Sequence, residues 1–272
     1  MTLWGASNPL ADHVRVVWTL QPTAHNCNPV DAPSRAPRQP RDAPRRRLGV
    51  AFHTGDDALL IKQAEPANES AWVDFLEARQ IRSRIVVSHI RHATQGEVSL
   101  RNTQPFAREL GGRMHVFAHN GKLPGIERRF ARAFRRFRPI GNTDSEVAFC
   151  VLLERLAPLW DAYLPSRAER AAVVTALASE LRELGPANFP YSDGELLIAH
   201  GHRRTQSDGH IVPPGLTTLT RSCAVDPDAL EPAGVTLRGG QLVTLFASVP
   251  LTDEPWRPLE EGEIRVARQS AP

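Results

Sequence analysis

The sequence predicts an α+β protein with largely antiparallel sheets. Short apolar runs come first, two capped helical segments occupy the middle of the chain, and apolar runs return in the last third. Strands, then helices, then strands are typical of this class, whereas an alternating order would favour a parallel sheet. The length of 272 residues, of which 41% are hydrophobic and 23% charged, suits one large globular domain or a domain with a tail.

The predicted strands are short apolar runs bounded by turn residues. Residues 49–52 and 58–61 flank the turn sequence at 55–57, which favours a hairpin, and residues 84–89 are rich in β-branched side chains. Residues 94–105 are predicted to form a loop. The remaining predicted strands cover residues 112–119, 195–199, 215–219 and 241–249.

Three helices are predicted from capping residues and from the spacing of apolar side chains. One covers residues 70–79. Two more begin at Thr143 and Ser166, because Glu146 and Glu169 follow three residues later and give the spacing of a capping box. These boxes predict where the two central helices begin.

Residues 127–138 are rich in arginine and are predicted to form a further helix. Phe130, Phe134 and Phe137 fall at i, i+4 and i+7, which would line one helix face while the arginines occupy the other. A nucleic-acid surface is the alternative. We prefer the solvated helix packed on the domain, and we expect no nucleic-acid partner.

A cytoplasmic location without a membrane partner is expected. No apolar run approaches the roughly 18 residues that a membrane span needs, and the N-terminus lacks the order of residues of a secretory signal. Cys27, Cys150 and Cys223 are odd in number and far apart, so neither a disulfide framework nor a zinc site is indicated.

Neither a cofactor nor a metal is expected. The sequence has no glycine-rich phosphate loop and no Ser-His-Asp nucleophile elbow. His200, His202 and His210 share one loop, but no carboxylate or thiolate stands nearby at ligand spacing.

The candidate functional site consists of polar clusters at the ends of apolar runs, where binding and catalytic residues are usually found. A guanidinium in one cluster suits a carboxylate, a carboxylate in another suits an ammonium, and an Asn-Gly pair can donate to an oxyanion. The clusters are residues 89–94, 117–121 and 141–146.

The ordered motifs of this stretch resemble those of the class II glutamine amidotransferases, and most of all the small members whose N-terminus reads Met-Cys-Glu-Leu. The resemblance implies an N-terminal-nucleophile hydrolase fold, in which two antiparallel sheets pack face to face between helix layers (αββα). It also implies release of ammonia from the side-chain amide of glutamine through a glutamyl thioester. The motifs are His89-Ile90-Arg91-His92-Ala93-Thr94, Asn102-Thr103-Gln104-Pro105-Phe106, Ala118-His119-Asn120-Gly121 and Thr143-Asp144-Ser145-Glu146.

The resemblance assigns the oxyanion hole to the side chain of Asn120 and the backbone N–H of Gly121. An Asn-Gly pair is also the commonest hairpin turn, and this alternative stays open on the sequence alone. The motifs in combination favour the oxyanion hole.

The resemblance assigns glutamine binding to four residues. Arg91 would hold the α-carboxylate and Asp144 the α-amino group, with Thr94 and His119 as further substrate contacts. The alternative for Asp144 is a structural carboxylate at a helix N-terminus.

The chain departs from the family at its N-terminus. Family members use a cysteine freed by loss of the initiator Met, whose own α-amine serves as the base for the thiol. Position 2 here is Thr2, and Cys27 would have to be exposed by a cleavage for which the sequence shows no signal. The chain as printed is predicted to lack its nucleophile, which makes it inactive or a glutamine-binding pseudoenzyme.

A shifted reading frame supplies the missing segments. Read from the second base of each codon, His13-Val14-Arg15 permits Met-Cys, and the residues up to Gln21 permit Glu-Leu-Phe-Gly-Leu-Ser. In the same frame Arg46-Arg47-Leu48-Gly49 permits the family's Asp-Gly-Trp, after which one missing G would restore the printed frame. Two family motifs from one shift indicate an out-of-frame product, through a sequencing error or a genuine frameshift.

The predicted division is therefore residues 1–48 as an aberrant segment and residues 49–272 as the amidotransferase domain. The first segment is rich in proline, which cannot donate to a sheet ladder. Residues 1 to about 45 are expected to be poorly ordered and to leave a sheet edge or the active-site floor uncovered.

No synthase, ligase or isomerase domain is predicted beside the amidase. The expected partner is glutamine or another γ-glutamyl small molecule. The ammonia would pass to a separate subunit, or the enzyme would act as a hydrolase.

Overall fold

The computed structural model describes residues 13–20, 46–63, 81, 83–92, 99–223, 241–251 and 253–268. Its strands are β1 (His13–Leu20), β2 (Arg46–Thr54), β3 (Asp57–Gln63), β4 (Ile85–His92), β5 (Phe106–Leu110), β6 (Arg113–Phe117), β7 (Asn120–Gly121), β8 (Ala187–Ser192), β9 (Leu196–His200), β10 (Arg204–Thr205), β11 (Ile211–Val212), β12 (Thr217–Cys223), β13 (Gln241–Ala247), β14 (Arg257–Pro258) and β15 (Ile264–Arg268). Its α-helices are α1 (Ile126–Arg129), α2 (Asp144–Ala162) and α3 (Arg167–Arg182).

Two antiparallel sheets organise the described chain. The larger sheet has seven strands in the order β14-β12-β13-β1-β4-β2-β3. The smaller sheet has the order β15-β9-β8-β6-β5, and β7 also pairs with β8. Every pairing within these two sheets is antiparallel, which confirms the α+β class and the antiparallel sheets predicted from the sequence.

The two sheets pack against each other through one apolar layer. Ala51 and Val87 of the larger sheet are buried in the same cluster as Val116 and Ala199 of the smaller sheet. The other face of the smaller sheet packs on α2 and α3, where Phe117 is fully buried. Because side chains alternate along a strand, neighbouring residues of β6 point into the two different apolar layers. The smaller sheet is thus covered on both faces where it leads into residues 118–121.

The two central helices begin at the predicted capping residues. The Thr143 side chain accepts the backbone N–H of Glu146 at 3.2 Å. Ser166 and Glu169 form a reciprocal capping box, with Ser166 N donating to the Glu169 carboxylate at 2.8 Å. Both predicted helix starts are confirmed. Within the described residues no helix is long and apolar enough to cross a membrane.

The prediction of a helix over residues 127–138 is wrong. The helix α1 has only four residues, and the chain beyond it is irregular. The Glu154 carboxylate of α2 accepts the backbone N–H groups of residues 135–137 at 2.6–2.7 Å, so this backbone is satisfied without helical bonds. Phe130 and Phe137 are nevertheless buried against α2, so the predicted inward face is correct.

The expectation of poor order is wrong for His13–Leu20. These residues form β1, which lies inside the larger sheet and pairs with both β13 and β4. The segment holds three valines, a tryptophan and a threonine, which favour strands, and it contains no proline. The predicted uncovered edge is therefore absent at β1. Residues 1–12 and 21–45 lie outside the described residues.

Other differences follow from weak local patterns. The sequence did not predict β5, β8 or β15, since polar residues or proline interrupt their apolar runs. In β8, Asn188 and Pro190 do so, although all six residues are buried. The helix predicted over residues 70–79 lies outside the described residues.

A buried ion cluster ties α3 to the turn between β8 and β9. The Arg170 side chain is 2% exposed and donates to Asp193, which is fully buried, at 2.7 Å. It also donates to Glu195 at 2.7 Å. Asp193 accepts two further backbone N–H groups in its own turn, from Glu195 and Leu196. A carboxylate this deeply buried depends on its cation.

Arg170→Ala is expected to lower the free energy of unfolding by about 3–5 kcal/mol, because it leaves the Asp193 carboxylate buried without its cation. Urea unfolding measures the change. The control is Arg136→Ala, which breaks the exposed Arg136–Asp161 pair (45% and 59% exposed). We expect it to cost at most about 1 kcal/mol. Equal losses in the two variants would contradict the dependence of Asp193 on its cation.

Candidate active site

Asn120 and Gly121 continue the line of β6 along β8. Asn120 pairs with Asn188 and Gly121 with Ala187. The hairpin-turn alternative for this dipeptide is therefore wrong, since both residues are strand backbone paired to a distant segment. Asn120 is 7% exposed.

Position 121 accepts only glycine. Its φ of +150° lies in a region that side-chain-bearing residues rarely adopt. A Cβ at this position would overlap the backbone oxygen of Pro186 and would also crowd His119 Nε2. The backbone of β7 therefore approaches β8 more closely than any side chain would allow.

The Asn120 side chain faces the end of the larger sheet. Its Nδ2 donates to Ser248 Oγ at 3.1 Å. Ser248 directly follows β13, and Ala247 of β13 pairs with Arg15 of β1. The first residues of β1 therefore lie beside the strand end that binds the Asn120 amide.

His119 is buried and bridges Pro186, the residue before β8, and Ser145 of α2. Its Nε2 lies 3.2 Å from the Pro186 oxygen and its Nδ1 lies 2.9 Å from Ser145 Oγ. Because the carbonyl can only accept, Nε2 carries the proton and Nδ1 accepts from the Ser145 hydroxyl. Burial lowers the pKa of His119, so the ring is neutral. Both nitrogens contact protein atoms, and the substrate contact implied for His119 stays a prediction.

Asp144 is the first residue of α2 and is half-buried. Its Oδ2 accepts the backbone N–H of Leu123 at 2.8 Å, and its Oδ1 accepts that of Ser145 at 2.8 Å. Asp144 therefore lies at a helix N-terminus, as the structural alternative for this residue predicted. A carboxylate has about four acceptor positions, so these bonds leave capacity for a substrate ammonium, which stays a prediction.

Gln104 joins these groups. Its Oε1 accepts the His119 N–H at 2.6 Å, and its Nε2 donates to the His119 carbonyl at 3.0 Å and lies 3.3 Å from Ser145 Oγ. The Gln104 side chain therefore binds both the backbone N–H and the backbone carbonyl of His119, the residue before Asn120. A Cβ at Gly49 of β2 would overlap the Gln104 carbonyl, so glycine there lets the larger sheet approach this loop.

Two predicted substrate residues are described incompletely or not at all. Arg91 lies in β4, where its backbone pairs with Arg47 of β2, and only its backbone is described. Thr94 lies outside the described residues. The structure brings Asn120, Gly121 and His119 together, and the His119–Ser145 bond joins them to the start of α2.

Two polar residues of the site were not found from the sequence. Asn188 and Ser248 both contact Asn120, although they are 68 and 128 residues away in the chain. Each carries a weak sequence signal: Asn188 is a polar residue among apolar and aromatic neighbours, and Ser248 is a small polar residue at the end of an apolar run.

Residues 35–272 match the family model described as class II glutamine amidotransferases. The chain belongs to this family. This class II amidotransferase is 35% identical over 219 residues to YafJ of Escherichia coli K12, a protein named as a glutamine amidotransferase. The alignment covers 80% of this chain and 83% of YafJ.

Solved structures confirm the N-terminal-nucleophile hydrolase fold expected of this amidotransferase. A predicted glutamine amidotransferase from Pseudomonas aeruginosa PA01 is 27% identical with a TM-score of 0.59, over 96% of this chain and 95% of that chain. The glutamine phosphoribosylpyrophosphate amidotransferase from B. subtilis is 14% identical with a TM-score of 0.51, over 83% of this chain and 41% of that chain. The second likeness shows the fold alone.

Buried histidines make the stability of this amidotransferase dependent on pH. Burial lowers the pKa of His53, His115 and His200 to about 4, and it also lowers that of His119. In the unfolded chain these side chains bind protons below a pH of about 6.5. The unfolded state then holds more protons than the folded state, so stability is lost as pH falls from about 6.5 towards 4.

Lowering the pH from 7 to 5 is expected to reduce the free energy of unfolding by about 2 kcal/mol for each histidine whose folded pKa is near 4. Urea unfolding at the two pH values measures the change. Lowered carboxyl pKa values act below about 4.5 and do not enter this range. His200→Asn removes one titrating group and should reduce the difference. A free energy of unfolding that is equal at pH 7 and pH 5 would contradict the neutral buried histidines.

Proposed function

We propose that the site described above hydrolyses the side-chain amide of glutamine or of a γ-glutamyl compound, provided that an N-terminal cysteine is supplied. The observation that carries this proposal is the hydrogen-bonded chain that runs from buried His119, the residue before Asn120, through Ser145 to the half-buried Asp144 carboxylate. It fixes an oxyanion donor and an ammonium acceptor relative to each other. Such prepositioning is what acyl transfer requires of its site.

Each substrate group has a proposed partner. The guanidinium of Arg91 binds the α-carboxylate in a two-pronged contact, and the carboxylate of Asp144 binds the α-ammonium. When a thiolate attacks the side-chain carbonyl, charge builds on its oxygen. The Asn120 amide and the Gly121 N–H donate to that oxygen. Thr94 is proposed as a further contact.

The nucleophile of the proposed enzyme belongs at the start of β1. Arg15 of β1 pairs with Ala247, next to the Ser248 that binds Asn120. In the shifted frame Met-Cys falls within His13-Val14-Arg15, so the cysteine would open this strand. The structural likeness covers 96% of the chain, whereas the sequence likeness to YafJ covers 80% and the family model begins at residue 35, so the likeness of fold extends further than the likeness of sequence.

In the chain as printed, we propose that the site binds glutamine without turning it over. Position 2 is Thr2, and none of residues 13–20 is cysteine. Cys150 is buried in α2, and burial raises the pKa of its thiol to about 12, so it offers no thiolate at neutral pH. Residues 1–48 would then be an out-of-frame product, and residues 49–272 the amidotransferase domain. The ammonia would pass to a separate subunit or be released to water.

The coding sequence tests the frame proposal. We expect a single-base insertion in the run of G around Leu48 to open a frame that begins Met-Cys-Glu-Leu at His13-Val14 and passes through Asp-Gly-Trp before rejoining residue 49. The measurement is resequencing of the gene from independent templates. The proposal fails if no single-base change in that interval connects the two frames.

A Cys-first chain is expected to release ammonia from glutamine, whereas the printed chain is expected to release none above background. The Cys-first chain replaces the residues before Gly49 by the shifted-frame sequence. Ammonia and glutamate are measured together with glutamine binding by calorimetry. Both chains should bind glutamine, since Arg91 and Asp144 are unchanged.

Asp144→Asn is the matched control for the two chains. It keeps the size of the side chain but removes the charge that pairs with the ammonium, and we expect roughly a tenfold or greater loss of glutamine affinity. Turnover by the printed chain would refute the proposed loss of its nucleophile. Binding that is unaffected by Asp144→Asn would refute the assigned ammonium partner.

A further inference from the structure

Asn188 of β8 is fully buried and holds three segments of the chain together. Its Nδ2 donates to the Asn120 carbonyl at 3.1 Å and to the Arg203 carbonyl at 2.6 Å. Its Oδ1 accepts the backbone N–H of His202 at 2.7 Å. The nitrogen and the oxygen of this side-chain amide are therefore both hydrogen-bonded to backbone groups.

The first of these bonds ends on the peptide group that joins Asn120 to Gly121. The carbonyl of this peptide binds Asn188, and its N–H is the Gly121 donor of the proposed oxyanion hole. In a trans peptide the C=O and the N–H point in opposite directions. Fixing the carbonyl towards Asn188 therefore fixes the direction of the Gly121 N–H on the other side.

We infer that Asn188 is a positioning residue of the amidotransferase reaction, which orients the Asn120–Gly121 peptide so that its N–H points at the oxyanion. This inference rests on the proposed function. The bond also polarises the peptide, because a hydrogen bond to the carbonyl makes the N–H of the same group a better donor. Glycine at 121 has unusual backbone freedom, so the peptide needs an external restraint.

The surroundings restrict position 188 to an amide of this size. A Cβ at Gly215 would overlap Asn188 Oδ1, so the segment before β12 lies directly against the side chain. An aspartate has the same shape but donates nothing. Its carboxylate would face the carbonyls of Asn120 and Arg203, and the Asn120–Gly121 peptide would turn away from it.

The inference is tested first on the full printed chain, without reference to activity. In the ¹⁵N–¹H spectrum of Asn188→Asp, we expect the Gly121 amide resonance to shift or broaden. The amide of Gly112, which has open space around it, serves as the internal reference and should not move. Asn102→Asp is the matched control, since Asn102 is 1% exposed and its Oδ1 accepts a loop N–H from Asn142.

A Gly121 resonance that is unchanged in Asn188→Asp, or that moves equally in Asn102→Asp, would overturn the inference. If Asn188→Asp does not give a dispersed spectrum, Asn188→Ala is measured in its place. This variant removes the donor without adding a charge, and the same outcomes apply to it.

The second test measures glutaminase kinetics in the Cys-first chain. Asn188→Asp is expected to lower kcat roughly 10- to 100-fold with KM for glutamine unchanged, because an oxyanion donor acts in the transition state and not on bound substrate. A rise in KM that accounts for the whole loss would mean a merely structural role and would overturn the inference. If the unsubstituted Cys-first chain is inactive, the proposed function fails, and the spectrum alone still decides whether Asn188 orients the peptide.

Discussion

The close approach of the Asn120–Gly121 backbone to β8 is the constraint on which the rest of the site depends. One atom, the Pro186 oxygen, occupies the space that a side chain at 121 would need, and it also accepts the proton of His119 Nε2. The same contact therefore requires glycine at 121 and fixes the tautomer of His119. That tautomer leaves Nδ1 as an acceptor, which determines the direction of the Ser145 hydroxyl.

The consequences extend from the smaller sheet to the start of α2. Ser145 is the second residue of this helix, so its bond to His119 sets the distance between β7 and the Asp144 carboxylate. Gln104 strengthens the connection by bonding both backbone groups of His119. All of these donors and acceptors are buried, where an unmade hydrogen bond is costly. Each bond therefore restrains the next, which favours a single arrangement of the network.

The sequence predicted those features whose physical causes are local. The starts of α2 and α3 depend on a side chain and a backbone N–H three residues apart, so Thr143 and Ser166 could be recognised. The Asn120 cluster could be found because it ends an apolar run. Asn188 and Ser248 were missed because their local signal is weak and their role depends on a partner far away in the chain. For residues 127–138, the local spacing of apolar residues did not predict the backbone conformation.

In residues 127–138 the three phenylalanines follow a helical spacing, and two of them are buried. A helix would place such side chains on one face, but an irregular backbone can do the same when its N–H groups find other acceptors. The Glu154 carboxylate supplies that acceptor from α2. Apolar spacing predicted which side chains face inwards, whereas the tertiary partner decided the backbone conformation.

Folding and the proposed catalysis place different requirements on the strand β1. A sheet ladder is made of backbone N–H and C=O groups, so any segment of strand-forming residues without proline can fill the place between β13 and β4. His13–Leu20 meets that requirement. The proposed thioester chemistry instead requires one particular side chain, a thiol, at the start of that strand. The proposed change of reading frame would therefore preserve the sheet while removing the nucleophile, because the fold depends on the backbone of β1 and the proposed reaction depends on a single side chain near its start.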